Sequence, residues 1–156
     1  MTGGGSSIPA VQALLRVLAA GRDVAELGTA FGEGAAAIAE TARSVVTVER
    51  DPERAAVARE RLAGFENVEA LEGDAYDVLR GRGPFGPVFA DGGAYDWERI
   101  LELLEPGGLL VKDDLTPGRA VDGDPVREFL LRDPRLAAVE ILTTPDTAAI
   151  VAVRLR

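Results

Sequence analysis

Asp23-Val24-Ala25-Glu26-Leu27-Gly28-Thr29-Ala30-Phe31-Gly32-Glu33-Gly34-Ala35-Ala36-Ala37-Ile38-Ala39 is the stretch whose reading decides the fold. A short apolar run ends in an acidic residue, passes through glycines and opens into an alanine-rich helix former. Glycine allows φ > 0 and lets a ligand approach the main chain closely. The helix that follows begins with N–H groups that lack intrahelical partners and face outward. A strand–glycine–helix turn of this kind is expected to bind a nucleotide-like ligand. Spacing separates the candidate classes. A dinucleotide turn, G-x-G-x-x-G, sets a pyrophosphate on the helix start. Counted from Gly28, it needs glycine at 30 and 33, where the chain has Ala30 and Glu33. Glu33 would set a carboxylate against the pyrophosphate. A nicotinamide-linked oxidoreductase therefore suits the strand–helix plan but fails at the turn.

Outward from the turn, apolar runs alternate with helical patterns. A first helix is expected from Ile8 to Ala20, with Ile8, Val11, Leu14, Leu15 and Leu18 on one face and Gly21 at its end. Strands are expected at 24–27, 44–49, 68–71, 87–91 and 109–112, with helices at 34–42, from Pro52 to near Gly64, and over a short span ending at Leu79. Asp51-Pro52 and Asp124-Pro125 each supply an N-cap followed by proline at the first helical position. Trp97, Ile100, Leu101 and Leu104 share the face of one helix, which Pro106-Gly107-Gly108 should break. A helix at 126–131 and a final hairpin, 136–142 and 148–155, complete the chain. Strands alternating with helices mean a parallel sheet with right-handed crossovers, and the hairpin adds one antiparallel strand.

Composition narrows the chemistry. A chain of 156 residues with 47% apolar and 28% charged residues reads as one soluble globular domain, 1–156. A net charge of −9 argues against nucleic acid or an anionic membrane as a main partner. The absence of cysteine and histidine excludes thiol nucleophiles, Ser-His-Asp chemistry and Cys/His zinc sites. With no signal-peptide pattern and no long apolar run, a cytoplasmic protein is expected. The Gly/Ser-rich Met1 to Ser7 is expected to be mobile unless a ligand orders it.

Acidic residues collect at the carboxyl ends of the expected strands: Glu49, Asp74, Asp91 and the pair Asp113-Asp114. Ligands of open α/β sheets sit there. Glu49 lies 21 positions after Gly28, which puts it beside the turn, where its carboxylate can accept both hydroxyls of a ribose. A strand-end glutamate paired with Arg50 or Arg54 is the plainer alternative. Asp74, ahead of the short expected helix, reads on its own as a helix N-cap.

The order E-x-G-T-x-x-G, Glu26 to Gly32, resembles motif I of class I S-adenosylmethionine (SAM) methyltransferases, and most of all the catechol and caffeoyl-coenzyme A O-methyltransferases. The resemblance implies a Rossmann-like, seven-stranded sheet of order 3-2-1-4-5-7-6 with the seventh strand antiparallel. It implies SAM as cofactor, held by Glu26, Gly28, Thr29, Ala30, Gly32, Glu49, Arg50, Gly73, Asp74, Ala75 and Asp91. Gly34 stands where relatives often carry serine, and Ser6 or Ser7 can replace that hydroxyl. It also implies a divalent cation, Mg²⁺, Mn²⁺ or Ca²⁺, on Asp91, Asp113 and Asp114, with Asp114 in place of an asparagine. The lysine that such relatives place shortly after the strand-four aspartate is missing. Lys112, inside strand five, is the one lysine of the chain. Asp91 is then the expected catalytic base, with help from Tyr95 as the alternative. The expected reaction is O-methylation of a small-molecule hydroxyl. A SAM-binding module without chemistry is the alternative. With one helix ahead of motif I, the acceptor site is expected to lie open or to be closed by a second copy in a homodimer.

Overall fold

The computed structural model describes residues 7–91, 93 and 95–156. The mobility expected of the N-terminal segment and the Ser6 contact therefore fall outside the described residues, except at Ser7. In chain order the elements are α1 (Pro9–Ala19), β1 (Asp23–Leu27), α2 (Glu33–Ala39), β2 (Ser44–Glu49), α3 (Pro52–Leu62), β3 (Val68–Glu72), α4 (Ala75–Leu79), β4 (Phe85–Ala90), α5 (Trp97–Leu103), β5 (Leu104–Leu115), α6 (Pro125–Arg132), β6 (Leu136–Thr144) and β7 (Thr147–Arg154). The strands form one sheet of order β3-β2-β1-β4-β5-β7-β6. Only β7 runs antiparallel to its neighbours β5 and β6.

Two apolar layers sandwich this sheet. On one face Val11 and Leu15 of α1 and Ile38 of α2 pack on Val24, Val45, Phe89 and Val111. On the other, Leu79, Ile100 and Leu130 from α4, α5 and α6 pack on Leu27, Val88, Leu110 and Ile150. β4, central and covered on both faces, is buried along its whole length, as a continuous apolar run in a parallel sheet requires. Helix starts follow the caps expected from sequence. Asp51 accepts from the backbone N–H groups of Glu53 and Arg54, Asp74 from those of Tyr76 and Asp77, and Asp124 from that of Arg127. Each cap satisfies donors that the first turn leaves free.

One element differs from expectation. Leu104, assigned by its spacing to the helix face, is the first residue of β5 and pairs with Phe85. Arg154 ends the helix by donating to the carbonyls of Leu101 at 2.8 Å and Leu104 at 2.5 Å. Pro106-Gly107-Gly108 then lies inside the strand, where the register with β4 shifts between Phe85 and Pro87. A Cβ on Gly108 would stand 2.7 Å from the Gly86 carbonyl, so the glycine permits a close bulge between two strands. A helix breaker read locally becomes a strand irregularity once β4 lies beside it.

Candidate active site at the carboxyl ends of β1, β4 and β5

The turn after β1 is pinned to its neighbours by backbone bonds. Gly28 and Thr29 donate to the Val48 carbonyl at 3.0 and 3.2 Å, at the end of β2. Gly28 adopts φ +90°, and a Cβ there would lie 2.9 Å from the Asp91 carbonyl oxygen. The end of β4 thus rests on the turn, and only a residue without a side chain admits it. Ala30 follows at φ +48°, a strained conformation for an L-residue. Its N–H donates to Glu49 Oε2 at 2.7 Å, which helps hold it there. Gly32 faces Ala58 and Leu62 of α3, so it serves helix packing.

Beneath the turn runs a buried chain of polar side chains. Thr47 donates to Glu26 Oε2 at 2.5 Å, and the Thr29 hydroxyl meets that of Thr47 at 2.5 Å. Thr29, a predicted cofactor contact, therefore turns its side chain inward and shapes the turn. Sequence reasoning missed Thr47. Its signal was a hydroxyl inside the apolar run Val45-Val46-Thr47-Val48, on the strand that pairs with Glu26. Glu26 is 1% exposed, and burial drives its carboxyl well above the ordinary range. The Thr47 bond opposes that shift, while Asp91, Asp113 and Glu49 add to it. Among the described residues, three buried side-chain oxygens have no hydrogen-bond partner: Glu26 Oε1, Ser7 Oγ and Asp113 Oδ1. Buried polar atoms are nearly always paired, so three orphans at one edge of the sheet mark room for a ligand.

Glu49 stands where the spacing places it. Its two oxygens accept from the backbone N–H groups of Ala30 at 2.7 Å and Asp51 at 2.9 Å. Among the described residues it makes no ion pair with Arg50 or Arg54, and Arg50 is exposed. Each carboxylate oxygen keeps capacity for a second donor. Gly73 donates to the Glu49 carbonyl at 2.9 Å, so the turn after β3 sits beside the same strand end. Asp74 Oδ1 takes both cap bonds of α4 and leaves Oδ2 outside them.

At the ends of β4 and β5, Asp91, Asp113 and Asp114 each offer a carboxylate oxygen, and these lie within 4.8 Å of one another. Asp114 is exposed and holds φ +57°, while Asp113 is buried. Burial and the neighbouring carboxylates Asp113 and Asp114 push Asp91 up to about 7. Burial and Asp114 push Asp113 up to about 6. Lys112 is buried too, and its ammonium donates to the Asp113 carbonyl at 2.5 Å instead of to a carboxylate. Tyr95, expected to assist as a base, does something else. Its hydroxyl donates to the carbonyls of Leu27, at 3.1 Å, and Asp91, and burial drives its pKa upward. It ties β1 to the segment after β4. Trp97 packs 5.5 Å from the Tyr95 ring and 6.2 Å from Phe129, nearly parallel to the latter. That is the packing role its spacing with Ile100 and Leu101 implies. Arg119 is exposed.

Residues 25–115 match the model of a methyltransferase domain family. The chain belongs to this family. Its sheet order is that of the class I SAM-dependent methyltransferases, and the nicotinamide alternative falls with Ala30 and Glu33. Two solved structures overlie nearly all of it. A cofactor-bound protein from MTB, Rv0187, is 29% identical with a TM-score of 0.79, over 97% of this chain and 83% of that one. The O-methyltransferase TomG from Streptomyces achromogenes, involved in tomaymycin synthesis and solved in complex with SAM, is 25% identical with a TM-score of 0.76, over 98% and 82%. Among curated proteins, a protein-L-isoaspartate O-methyltransferase of Rhodopseudomonas palustris (strain BisB5) is 37% identical over 97 residues, covering 60% of this methyltransferase-family chain and 45% of the relative. The chain thus spans less than half the length of that relative.

Proposed function

We propose that this chain transfers a methyl group from SAM to an oxygen of a small molecule, with a divalent cation held by Asp91, Asp113 and Asp114. The observation that carries the reading is the convergence of these three carboxylates within 4.8 Å. Burial raises Asp91 and Asp113, and the like charges beside them raise both further, since carboxylates so close resist joint ionisation. A hard cation removes that repulsion, and an all-oxygen donor set suits Mg²⁺, Mn²⁺ or Ca²⁺. The orphaned Asp113 Oδ1 supports the same fit. A cation there would hold the acceptor oxygen and lower the pKa of its hydroxyl.

SAM brings a methyl carbon already activated by its sulfonium, so the chain has to align the acceptor and take up its proton. In this reading Glu49 accepts the ribose hydroxyls with the lone pairs that Ala30 and Asp51 leave free. Asp74 Oδ2 and the Ala75 N–H face the adenine, while Gly73 gives the backbone room. Glu26 Oε1, buried and unpartnered, accepts from the methionine ammonium. The main chain at Gly28 and Ala30 borders the methionyl part. Asp91 has one oxygen for the cation and another for the acceptor's proton, since the one lysine of the chain, Lys112, is buried and donates to the Asp113 carbonyl.

A second reading, methylation of a protein carboxyl group, draws on the likeness to protein-L-isoaspartate O-methyltransferase. Its acceptor would be a carboxylate facing three more carboxylates, which disfavours it unless a cation intervenes. Turnover of labelled SAM with a catechol-type diol and with an isoaspartyl peptide, each with Mg²⁺ and with a chelator, separates the readings. The expected result is Mg²⁺-dependent methylation of the diol. Peptide methylation indifferent to the chelator would replace the proposal with the second reading. SAM binding without turnover of either acceptor would favour a non-catalytic module.

A further inference from the structure

We infer that Lys112 is a positioning residue: its ammonium locks a bulge in β5, and the bulge turns two consecutive aspartates onto one site. The inference rests on the proposal that Asp91, Asp113 and Asp114 hold a divalent cation. Successive side chains of a regular strand point to opposite faces. Asp113 and Asp114 are neighbours in β5, so an unbroken strand would part them. Yet an oxygen of each lies within 4.8 Å of the other and of Asp91. The pairing with β7 accounts for this. Lys112 stands opposite Ile150, and Leu115 opposite Ala148. Between these pairs β5 carries Asp113 and Asp114, where β7 carries Ala149 alone. Two residues against one make a β-bulge, which re-aims side chains. Asp114 sits in it at φ +57°, in the left-handed region that costs an L-residue free energy.

That conformation needs a hold. The peptide unit is planar, so fixing the Asp113 carbonyl fixes the plane that joins the two aspartates. Lys112 supplies the fixing: its Nζ donates to this carbonyl from a side chain in a residue only 4% exposed. Burying an ammonium is costly, and this one is committed to a main-chain oxygen with two acids next in the chain. Every other basic side chain of the protein is an arginine. A compact ammonium can serve one buried carbonyl, whereas a guanidinium spreads five donors in a fixed fork.

Mn²⁺ titration followed by electron paramagnetic resonance tests this. Lys112→Met keeps an unbranched apolar stem and removes the charge. Loss of a positive charge beside a cation site would by itself tighten Mn²⁺. Release of the bulge should instead weaken it about tenfold, as loss of a group that orients metal ligands does. The protein has no cysteine, so Lys112→Cys offers a single thiol for alkylation with bromoethylamine in denaturant, which rebuilds an ammonium of lysine's length. After refolding, the alkylated protein should bind Mn²⁺ as the wild type does, and the unalkylated one should share the loss. Thermal melts establish that each form is folded, and the cysteine pair carries the comparison if Lys112→Met does not fold. Unchanged or tighter Mn²⁺ binding without the ammonium overturns the inference and leaves the cation reading standing. A loss that alkylation does not repair overturns it too, because the ammonium is then not the cause. If the wild type binds no Mn²⁺, both fall together.

Discussion

Glu49 does two jobs with one carboxylate: it pins the strained Ala30 N–H and the Asp51 N–H, and in the proposed complex it also receives a ribose. Glu49→Ala should therefore weaken SAM at least tenfold, about 1.4 kcal/mol, and lower the melting temperature even without ligand. Calorimetry and melts read the two effects separately. Unchanged affinity would remove the ribose role. Gly28 is a sharper case. An alanine there would meet the Asp91 carbonyl at 2.9 Å and hold φ +90°. Gly28→Ala should cost about 1–3 kcal/mol and displace the segment that carries Asp91, seen as a lower melting temperature and weaker Mn²⁺ binding. Both residues were legible in the sequence, because glycine after a strand and an acid 21 positions later follow from local turn geometry and strand pairing. Thr47 was not legible in the same way. A threonine in an apolar strand acquires its role only when β2 lies beside β1.

At the scale of elements, α6 locks the stretch that follows Asp113-Asp114. Arg127 is 1% exposed. It donates to Asp124 at 2.7 Å, to both oxygens of Glu140 at 2.8 Å and to the Thr116 carbonyl at 2.7 Å. Arg127→Met keeps the volume but removes the charge and the grip on Thr116. Its carboxylate partners are partly solvated, so the loss should fall at the low end for a broken buried pair, about 3 kcal/mol. A domain of this size would then melt roughly 6–12 °C lower. A loss under 1 kcal/mol would mean that water replaces the guanidinium freely. The helix itself was readable from Asp124-Pro125, but an arginine on a short helix reads as solvated until β6 brings Glu140 over it. The start of β5 was misread for a related reason. Pro106-Gly107-Gly108 obeys a local stop rule, and only the partner strand β4 turns it into a bulge.

Across the whole molecule, the clustered acids set how stability responds to pH. Glu26, Asp91 and Asp113 all titrate above their ordinary range in the folded state, Asp91 at about 7 and Asp113 at about 6. The folded state then binds more protons than the unfolded one between the ordinary carboxyl range and these values. The stability they contribute is fully present below that range and is lost as pH rises through about 6 and 7. The metal-free protein should therefore melt at a lower temperature at pH 8 than at pH 5, and millimolar Mn²⁺ should restore the loss at pH 8. The chain has no histidine or cysteine, so no other side chain with an ordinary pKa titrates in that window. A flat profile unaffected by Mn²⁺ would mean that the trio is freely solvated and holds no cation. The packing of Trp97 between Tyr95 and Phe129 has a practical consequence for such measurements. It is the sole indole of the chain, and it adjoins the tyrosine that ties the end of β1 to Asp91. Its intrinsic fluorescence is thus a native, label-free gauge of that link, and any ligand that shifts Asp91 should alter its emission before the global fold changes.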